Sequence, residues 1–184
     1  MSDKIALVTG GGKRLGAKIA RALAEDGWHV IIHYNSSATE ARAIEAAIRK
    51  SGGSASTVQC DLRDSTGVAA FADGLGRIDL LVNSASVFEQ DRPETVEAAA
   101  LEQALRVNLM APVLLGSAMA QAHETRASGC IINLLDQKLF NLNPDFFSYT
   151  LAKHALLSAT TTMAMALAPR VRVNGIAPGL TLPS

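Results

Sequence analysis

The stretch IALVTGGGKRLG, residues 5–16, passes from an apolar strand through a glycine cluster into the start of a helix. A tight glycine turn at this point lets backbone amides approach a pyrophosphate, and the helix N-terminus adds a partial positive charge. The spacing of the glycines differs from the dinucleotide-binding pattern G-x-G-x-x-G. The interpretation as a nucleotide-binding loop therefore depends on the position of the glycines between a strand and a helix. We therefore predict a nucleotide-binding loop with contacts from Gly10, Lys13, Arg14, Leu15 and Gly16.

The same strand-to-helix alternation continues along the chain. Runs rich in valine, isoleucine and leucine predict buried strands at residues 5–9, 30–34, 57–60, 80–83, 131–135 and 171–176. Alanine-rich segments of helical period predict helices at residues 14–26, 39–50, 66–74, 94–125 and 146–168. This order predicts an α/β fold, a Rossmann-like doubly wound parallel sheet with helices on both faces. Residues 1–184 read as one domain, and we expect the C-terminal part of the usual fold to be absent from this sequence.

Composition excludes several classes of partner. Lys plus Arg and Asp plus Glu number 17 each, so no overall charge favours nucleic acid or an anionic membrane. The longest apolar segment, residues 105–122, is interrupted by polar side chains, so no membrane span is predicted. No signal-peptide pattern precedes the first strand, which favours the cytoplasm. Cys60 and Cys130 lack any motif, so we predict neither a disulfide framework nor a metal site.

Polar residues follow three of the predicted strands, at the sheet edge where ligands bind in such folds. The candidate contacts in these segments are His33, Tyr34, Asn35 and Ser37, then Asp61 and the apolar Leu62, then Asn83, Ser84, the apolar Ala85 and Ser86. The second strand has no carboxylate before Glu40, while the first loop carries two cations. This arrangement suits a ribose 2′-phosphate and favours NADPH over NADH. Alternatively, Ser37 caps the second helix and Glu40 completes a capping box.

Tyr149 and Lys153 lie four residues apart in a predicted helix and therefore share one face. A lysine cation near a tyrosine hydroxyl lowers the tyrosine pKa from about 10 and makes it a usable proton donor near neutral pH. The same spacing also occurs on ordinary solvated helices. The chemical interpretation therefore depends on the other motifs.

Four motifs in this order resemble the short-chain dehydrogenase/reductase family: the Thr-Gly-x5-Gly loop at 9–16, Asn83-x-Ala85, Asn108, and Tyr149-x3-Lys153. The resemblance implies that Tyr149 is the catalytic acid and that Lys153 binds the nicotinamide ribose. It also implies a proton-relay role for Asn108 and cofactor contacts near Pro178 and Gly179. Pro112 lacks the amide that would bond the carbonyl of residue 108, which predicts either a functional kink or a simple helix break.

Asp136 stands where most members of that family carry a serine, thirteen residues before Tyr149. This feature, together with GKRLG at 12–16, His33-Tyr34, Ser37 and Phe88, is similar to the pteridine reductase branch. The resemblance implies proton transfer by Asp136 and Tyr149 and stacking of Phe88 on a pterin. Asp136 could instead cap a turn, and Phe88 could be a core or lid residue.

These expectations together describe an NADPH-dependent reductase of a dihydropterin or related heterocycle, with substrate contacts from Ser86, Phe88, Asp136 and Tyr149. One alternative is a reductase of the same fold acting on a ketone, such as a 3-oxoacyl thioester or a sugar. Another is an NADP-binding protein without catalytic activity. The apolar helix at 146–168 favours a homodimer or homotetramer, unless it is buried within one subunit. Asn143 and Pro144 are expected to start that helix.

Overall fold

The computed structural model describes residues 4–123 and 129–179. The strands are β1 Ile5–Val8, β2 His29–Tyr34, β3 Ser54–Gln59, β4 Leu80–Asn83, β5 Gly129–Leu134 and β6 Val171–Ile176. The α-helices are α1 Arg14–Glu25, α2 Ala38–Lys50, α3 Ser65–Gly74, α4 Ala98–Leu105, α5 Ala111–Ala122 and α6 Phe147–Leu167. A π-helical turn, Arg106–Met110, joins α4 to α5, and a 3₁₀ turn, Gln137–Phe140, follows β5.

The six strands form one parallel sheet in the order β3-β2-β1-β4-β5-β6. Apolar runs such as β4, in which all four residues are buried, form the central strands because helices cover both faces. Helices α1 and α2 pack on one face, and α3, α5 and α6 pack on the other. The predicted fold class is confirmed. The strand order reverses between β1 and β4, which is where such sheets bind ligands.

Two glycines allow close contacts at this reversal point. Gly10 has a φ of +64°, and a Cβ atom there would lie 2.9 Å from the Cα of Ala85, so the first loop touches the loop after β4. A Cβ at Gly16 would lie 2.4 Å from the carbonyl oxygen of Gly10, so α1 begins directly against its own loop. A larger residue at either position would displace the backbone.

The predicted helix at 94–125 is wrong in two respects: the helix starts later, and it is not a continuous α-helix. Helical structure begins at Ala98, and the π-helical turn replaces regular α-helix around Asn108. Pro112 lies in the first turn of α5 and cannot donate to the carbonyl of residue 108, while the amide of Ala111 bonds the carbonyl of Arg106. The predicted interruption is therefore confirmed. Residues 124 and 125 lie outside the described residues.

The expected helix start at Asn143 and Pro144 is wrong. Helix α6 begins at Phe147, because Phe146 has left-handed backbone geometry with a φ of +55°. Asn143 instead accepts hydrogen bonds from the Lys138 ammonium and from the amide of Asp145. The Asn143 side chain therefore binds residues that precede α6 and does not cap the helix.

The helical run Ala98–Ala122 is, in the described part of the chain, the one segment long and apolar enough to cross a membrane by length and composition. Core helices of soluble proteins meet the same criteria, and this run packs against α3 and α6. The expected absence of a membrane partner stays a prediction.

Candidate active site

A cleft of about 1090 Å³ runs along the carboxyl edge of the sheet, across the point where strand order reverses. Its walls contain nearly all of the predicted site residues: Gly10, Lys13, Arg14, Leu15, Gly16, His33, Tyr34, Asn35, Ser37, Asp61, Leu62, Ser84, Ala85, Ser86, Phe88, Asp136, Tyr149, Lys153, Pro178 and Gly179. Asn83 and Asn108 do not line it. The chain thus gathers residues from positions 10 to 179 around one cavity.

His33 connects the glycine loop to the end of β3. Its Nδ1 accepts a hydrogen bond from the Gly10 amide at 3.1 Å, and its Nε2 donates to the Cys60 carbonyl at 3.0 Å. The ring is buried, and this burial lowers its pKa below the usual 6.5 despite the opposing effect of the Cys60 bond. His33 is therefore a neutral bridge, and its ring nitrogens are already occupied within the protein.

The cations of the first loop differ in their partners. The Lys13 ammonium forms an ion pair with Glu40 at 2.7 Å. Glu40 therefore does not complete the expected capping box, and Ser37, although it is the N-cap of α2, makes no side-chain capping bond. That alternative is wrong, because the nearby ammonium attracts the carboxylate more strongly than a backbone amide does. Arg14 lines the cleft with a φ of +48° at the start of α1.

Asp61 is held by a residue that the sequence reading missed. Arg63 donates from Nε and Nη2 to the two Asp61 carboxylate oxygens, at 2.9 and 2.6 Å, and lines the same cleft. This hydrogen bonding lowers the pKa of Asp61. Arg63 itself is fixed by Arg106, whose guanidinium donates to the Arg63 carbonyl at 3.2 Å.

The loop after β4 is fixed by buried polar side chains. The Thr9 hydroxyl accepts from the amides of Ser84 and Ala85, both at 3.0 Å. Asn108, which is fully buried, accepts from the Ser86 hydroxyl at 2.8 Å and from the Val87 amide at 3.1 Å. It also donates to the Val87 carbonyl at 2.9 Å. The side chain of Asn108 is thus committed to positioning this loop.

Asn83 lies beneath the cleft, where its amide nitrogen donates to Asn133 at 2.8 Å. Asn133 in turn donates to the Thr160 hydroxyl on α6 at 2.9 Å. The Asn83 side chain thus binds the neighbouring strand beneath the cleft, and a cofactor contact of Asn83 stays a prediction.

Tyr149, Asp136 and Lys153 meet at the centre of the cleft. The tyrosine hydroxyl donates to Asp136 Oδ2 at 2.7 Å, and the other Asp136 oxygen accepts from the Lys138 amide at 2.8 Å. Asp136 thus caps the following turn, as the structural alternative proposed, and also binds the phenol. The Lys153 ammonium donates to the Leu134 carbonyl at 2.6 Å and lies 5.6 Å from the Tyr149 ring centroid.

Burial and the Asp136 carboxylate shift the pKa values of both Tyr149 and Lys153. Burial, the hydrogen bond to Asp136 and its charge raise the pKa of Tyr149 well above its usual value. The expected lowering of this pKa by Lys153 is therefore wrong in this arrangement, because the hydroxyl faces a carboxylate and Lys153 bonds a carbonyl. Burial lowers the pKa of Lys153 to about 8, partly offset by Asp136. The phenol stays protonated, and the ammonium stays charged at neutral pH.

Phe88 forms an exposed aromatic wall beside this centre. Its ring stacks on Phe146 at 3.9 Å between centroids and meets the Tyr149 ring edge-on at 4.7 Å. The side chain is 53% exposed, so it is not a core residue. A flat ring beside a proton donor can hold a planar heterocycle by stacking.

The cleft fits a dinucleotide. The N-terminus of α1 and two cations lie at the glycine-loop end, and a buried ammonium and a phenol lie at the centre of the cleft. No cluster of three potential metal-binding side chains occurs among the described residues, and the absence of a metal stays a prediction. The fold and the cleft thus define a dinucleotide-dependent enzyme with a tyrosine and a lysine at its centre.

Comparison with known proteins specifies the class. The family model described as short chain dehydrogenase matches residues 4–184, and the chain belongs to this family of oxidoreductases. Pteridine reductase 1 of Leishmania tarentolae is 34% identical over 222 residues, which cover 97% of this chain and 76% of the relative. An uncharacterized oxidoreductase of Methylorubrum extorquens is 37% identical over 184 residues, which cover 97% and 73%.

A solved structure is similar over the whole chain. FolM alternative dihydrofolate reductase 1 from Brucella suis, crystallised in complex with NADP, is 45% identical with a TM-score of 0.91. The match covers 100% of this chain and 78% of that one. This chain therefore spans about three quarters of the length of these relatives. Membership of the family is confirmed, and so is the resemblance to the pteridine reductase branch.

Sequence reasoning missed some of the cleft lining, which also includes Ser36, Arg63, Val87, Gln103, Val107, Leu134 and Leu135. Arg63 directly follows Asp61 and Leu62, so its position just after the end of a strand could have identified it as a cleft residue. Gln103 projects from α4, and nothing in the local sequence distinguishes it from the other polar residues of that helix.

Proposed function

We propose that this chain is an NADPH-dependent reductase that adds hydride to a carbon of a C=N bond in a dihydropterin or a similar planar heterocycle. The observation that carries this proposal is the 2.7 Å hydrogen bond between Tyr149 and Asp136, beside the exposed ring of Phe88. A carbonyl substrate needs a neutral donor alone. A ring nitrogen benefits from a second acid, because protonation makes the adjacent carbon more electrophilic.

The chain's own residues provide binding and proton transfer. We assign the pyrophosphate to the loop at Gly10–Gly16 and the N-terminus of α1, and the nicotinamide ribose to Lys153. When bound, NADPH supplies the hydride. Lys13, Arg14 and Ser37 are proposed to hold the 2′-phosphate that distinguishes NADPH from NADH.

Tyr149 is proposed to donate the proton to the substrate nitrogen. Its raised pKa keeps the phenol protonated until substrate arrives. Two adjacent negative charges would form if that proton left while Asp136 was ionised, and such a pair is unfavourable. The buried ammonium of Lys153 compensates for this charge, and Asp136 returns a proton from solvent to the phenol. The freed carbonyl of Asn108 remains a candidate for the relay.

A homo-oligomer also belongs to this proposal. Helix α6 is not buried on all sides, since Leu151 is 41% and Met165 is 78% exposed. Light scattering on the purified protein tests for a dimer or tetramer. A cytoplasmic location also remains a prediction.

The substrate class is tested by incubating the protein with NADPH and either a dihydropterin or a 3-oxoacyl thioester. We expect NADPH oxidation with the dihydropterin at a kcat/KM at least tenfold higher than with the thioester. Oxidation with the thioester alone would identify a ketone reductase. NADPH binding without turnover of either compound would favour a protein that binds the dinucleotide without catalysis.

A further inference from the structure

Asp91 does not line the cleft and belongs to none of the sequence motifs, yet it contacts the start of α6, the helix that carries Tyr149 and Lys153. Its carboxylate oxygens accept hydrogen bonds from the Ser148 amide at 3.1 and 3.2 Å, and one of them also accepts from the Ser148 hydroxyl. The Asp91 carbonyl accepts from the Phe147 amide at 3.4 Å. Ser148 is buried and directly precedes Tyr149.

These contacts cap α6 from a distant segment. Helix N-termini leave backbone amides without helical partners, and the residue that precedes the helix usually satisfies one of them. Here that residue is Phe146, which has no capping group. The cap therefore comes from a residue 57 positions earlier in the chain.

Two further contacts join the same segments. The Phe88 ring stacks on Phe146 with an interplanar angle of 12°, and the Arg92 guanidinium pairs with Asp145 at 3.2 Å. The segments 88–92 and 145–148 are thus joined by a stacked ring pair, a helix cap and an ion pair. We name this set of contacts the clasp.

We infer that Asp91 is a positioning residue of the active site, which fixes the Phe88 ring relative to the Tyr149 hydroxyl through the clasp. Phe88 belongs to one segment that the clasp joins, Tyr149 directly follows the other, and their rings meet at 4.7 Å. A planar substrate stacked on Phe88 must present its nitrogen to Tyr149, so a shift of one segment changes the distance over which the proton moves. Displacements of about 1 Å can cost about 10²-fold in rate.

The chain offers a matched control for capping alone. Asp64 is the N-cap of α3, where its side chain accepts from the Thr66 amide at 3.0 Å and its carbonyl accepts from the Val68 amide at 2.8 Å. Asp64→Ala therefore removes a similar cap from a helix that carries no catalytic residue. Asp91→Asn keeps one acceptor oxygen for the Ser148 amide, removes the charge and replaces the second acceptor oxygen with an NH2 donor.

The inference rests on the proposed function for its kinetic readout, so the test combines kinetics with hydrogen exchange, which needs no substrate. We expect Asp91→Ala to lower kcat for a dihydropterin about tenfold or more, while the Kd of NADPH stays within twofold. Amide exchange should accelerate in residues 84–97 and in the first turn of α6. Asp91→Asn should recover most of the activity, and Asp64→Ala should leave kcat within twofold.

Equal effects of Asp91→Ala and Asp64→Ala on kcat would overturn the inference and leave Asp91 as an ordinary cap. Unchanged exchange in both joined segments would also overturn it. If Asp91→Ala does not fold, Ser148→Ala removes one clasp bond, and a wild-type kcat in that variant would count against the inference. A wild type that reduces no dihydropterin contradicts the proposed function, and the exchange data then decide whether the clasp exists.

Discussion

The two halves of the cleft are constructed in different ways. At the cofactor half, the loop Gly10–Gly16 is fixed by backbone hydrogen bonds and by the neutral ring of His33. At the substrate half, charged and aromatic side chains from separate segments meet around Tyr149. The glycine loop is thus held by backbone hydrogen bonds and a neutral ring, whereas the substrate half depends on contacts between charged and aromatic side chains of distant segments. This difference predicts that mutations will separate binding from chemistry.

The largest effect is expected from Tyr149→Phe. Removing the hydroxyl eliminates the proton donor, and general acid catalysis contributes about 10²- to 10⁴-fold, so kcat should fall about 10³-fold. The Kd of NADPH should change by less than twofold, because the cofactor half is untouched. Steady-state kinetics and a binding titration measure the two quantities. Residual activity above one tenth of wild type would remove Tyr149 from the role of donor.

His33→Ala tests the cofactor half. The substitution leaves the Gly10 amide and the Cys60 carbonyl without their partner and opens a cavity, so the free energy of unfolding should fall by about 3 kcal/mol. NADPH affinity should fall with it. His29→Ala is the control, since His29 lies on the same strand and its ring nitrogens bind the hydroxyls of Ser54 and Ser56. Urea unfolding that shows equal losses for both variants would contradict the bridging role of His33.

Lys153 lies between the two halves, and its protonation can be followed through the pH dependence of stability and activity. Its pKa is about 8 in the folded protein, and its ordinary value is 10.5. Between pH 8 and 10.5, the lysine is therefore protonated in the unfolded chain and largely deprotonated in the folded protein. The free energy of unfolding of wild type, relative to Lys153→Met, should therefore rise from about pH 8 to 10.5. Activity should fall around pH 8, where the ammonium loses its charge in the folded protein. A pH-independent difference in stability would mean that the lysine is not desolvated.

The smallest effect is expected at the outer end of the cofactor half. Glu40→Gln releases the Lys13 ammonium from its ion pair, so NADPH should bind about two- to threefold more tightly while NADH affinity stays constant. Glu45→Gln is the matched control, because Glu45 pairs with Arg49 on the same helix away from the loop. Equal changes for both coenzymes would show that Lys13 does not reach the 2′-phosphate.

The cofactor half of the cleft could be predicted from the sequence more completely than the substrate half. Strands and the glycine loop were predictable because their apolar runs and turn residues are contiguous, and the strand order follows from right-handed crossovers. The pairing of Asp136 with Tyr149 was indicated by the family resemblance. The direction of the Tyr149 pKa shift was not predictable, because it depends on which neighbour the hydroxyl faces. Asp91 gave no local signal, since its partner Ser148 lies 57 residues away.

The central claim is that Asp136 adapts the tyrosine and lysine pair to a heterocycle. It is tested most directly by comparing kcat/KM for a dihydropterin and for a 3-oxoacyl thioester in wild type and in Asp136→Ser, which restores the hydroxyl typical of the family. We predict that the ratio of dihydropterin to thioester activity falls about 10²-fold in the variant. An unchanged ratio, with both activities lowered together, would contradict the assignment of Asp136 to substrate chemistry.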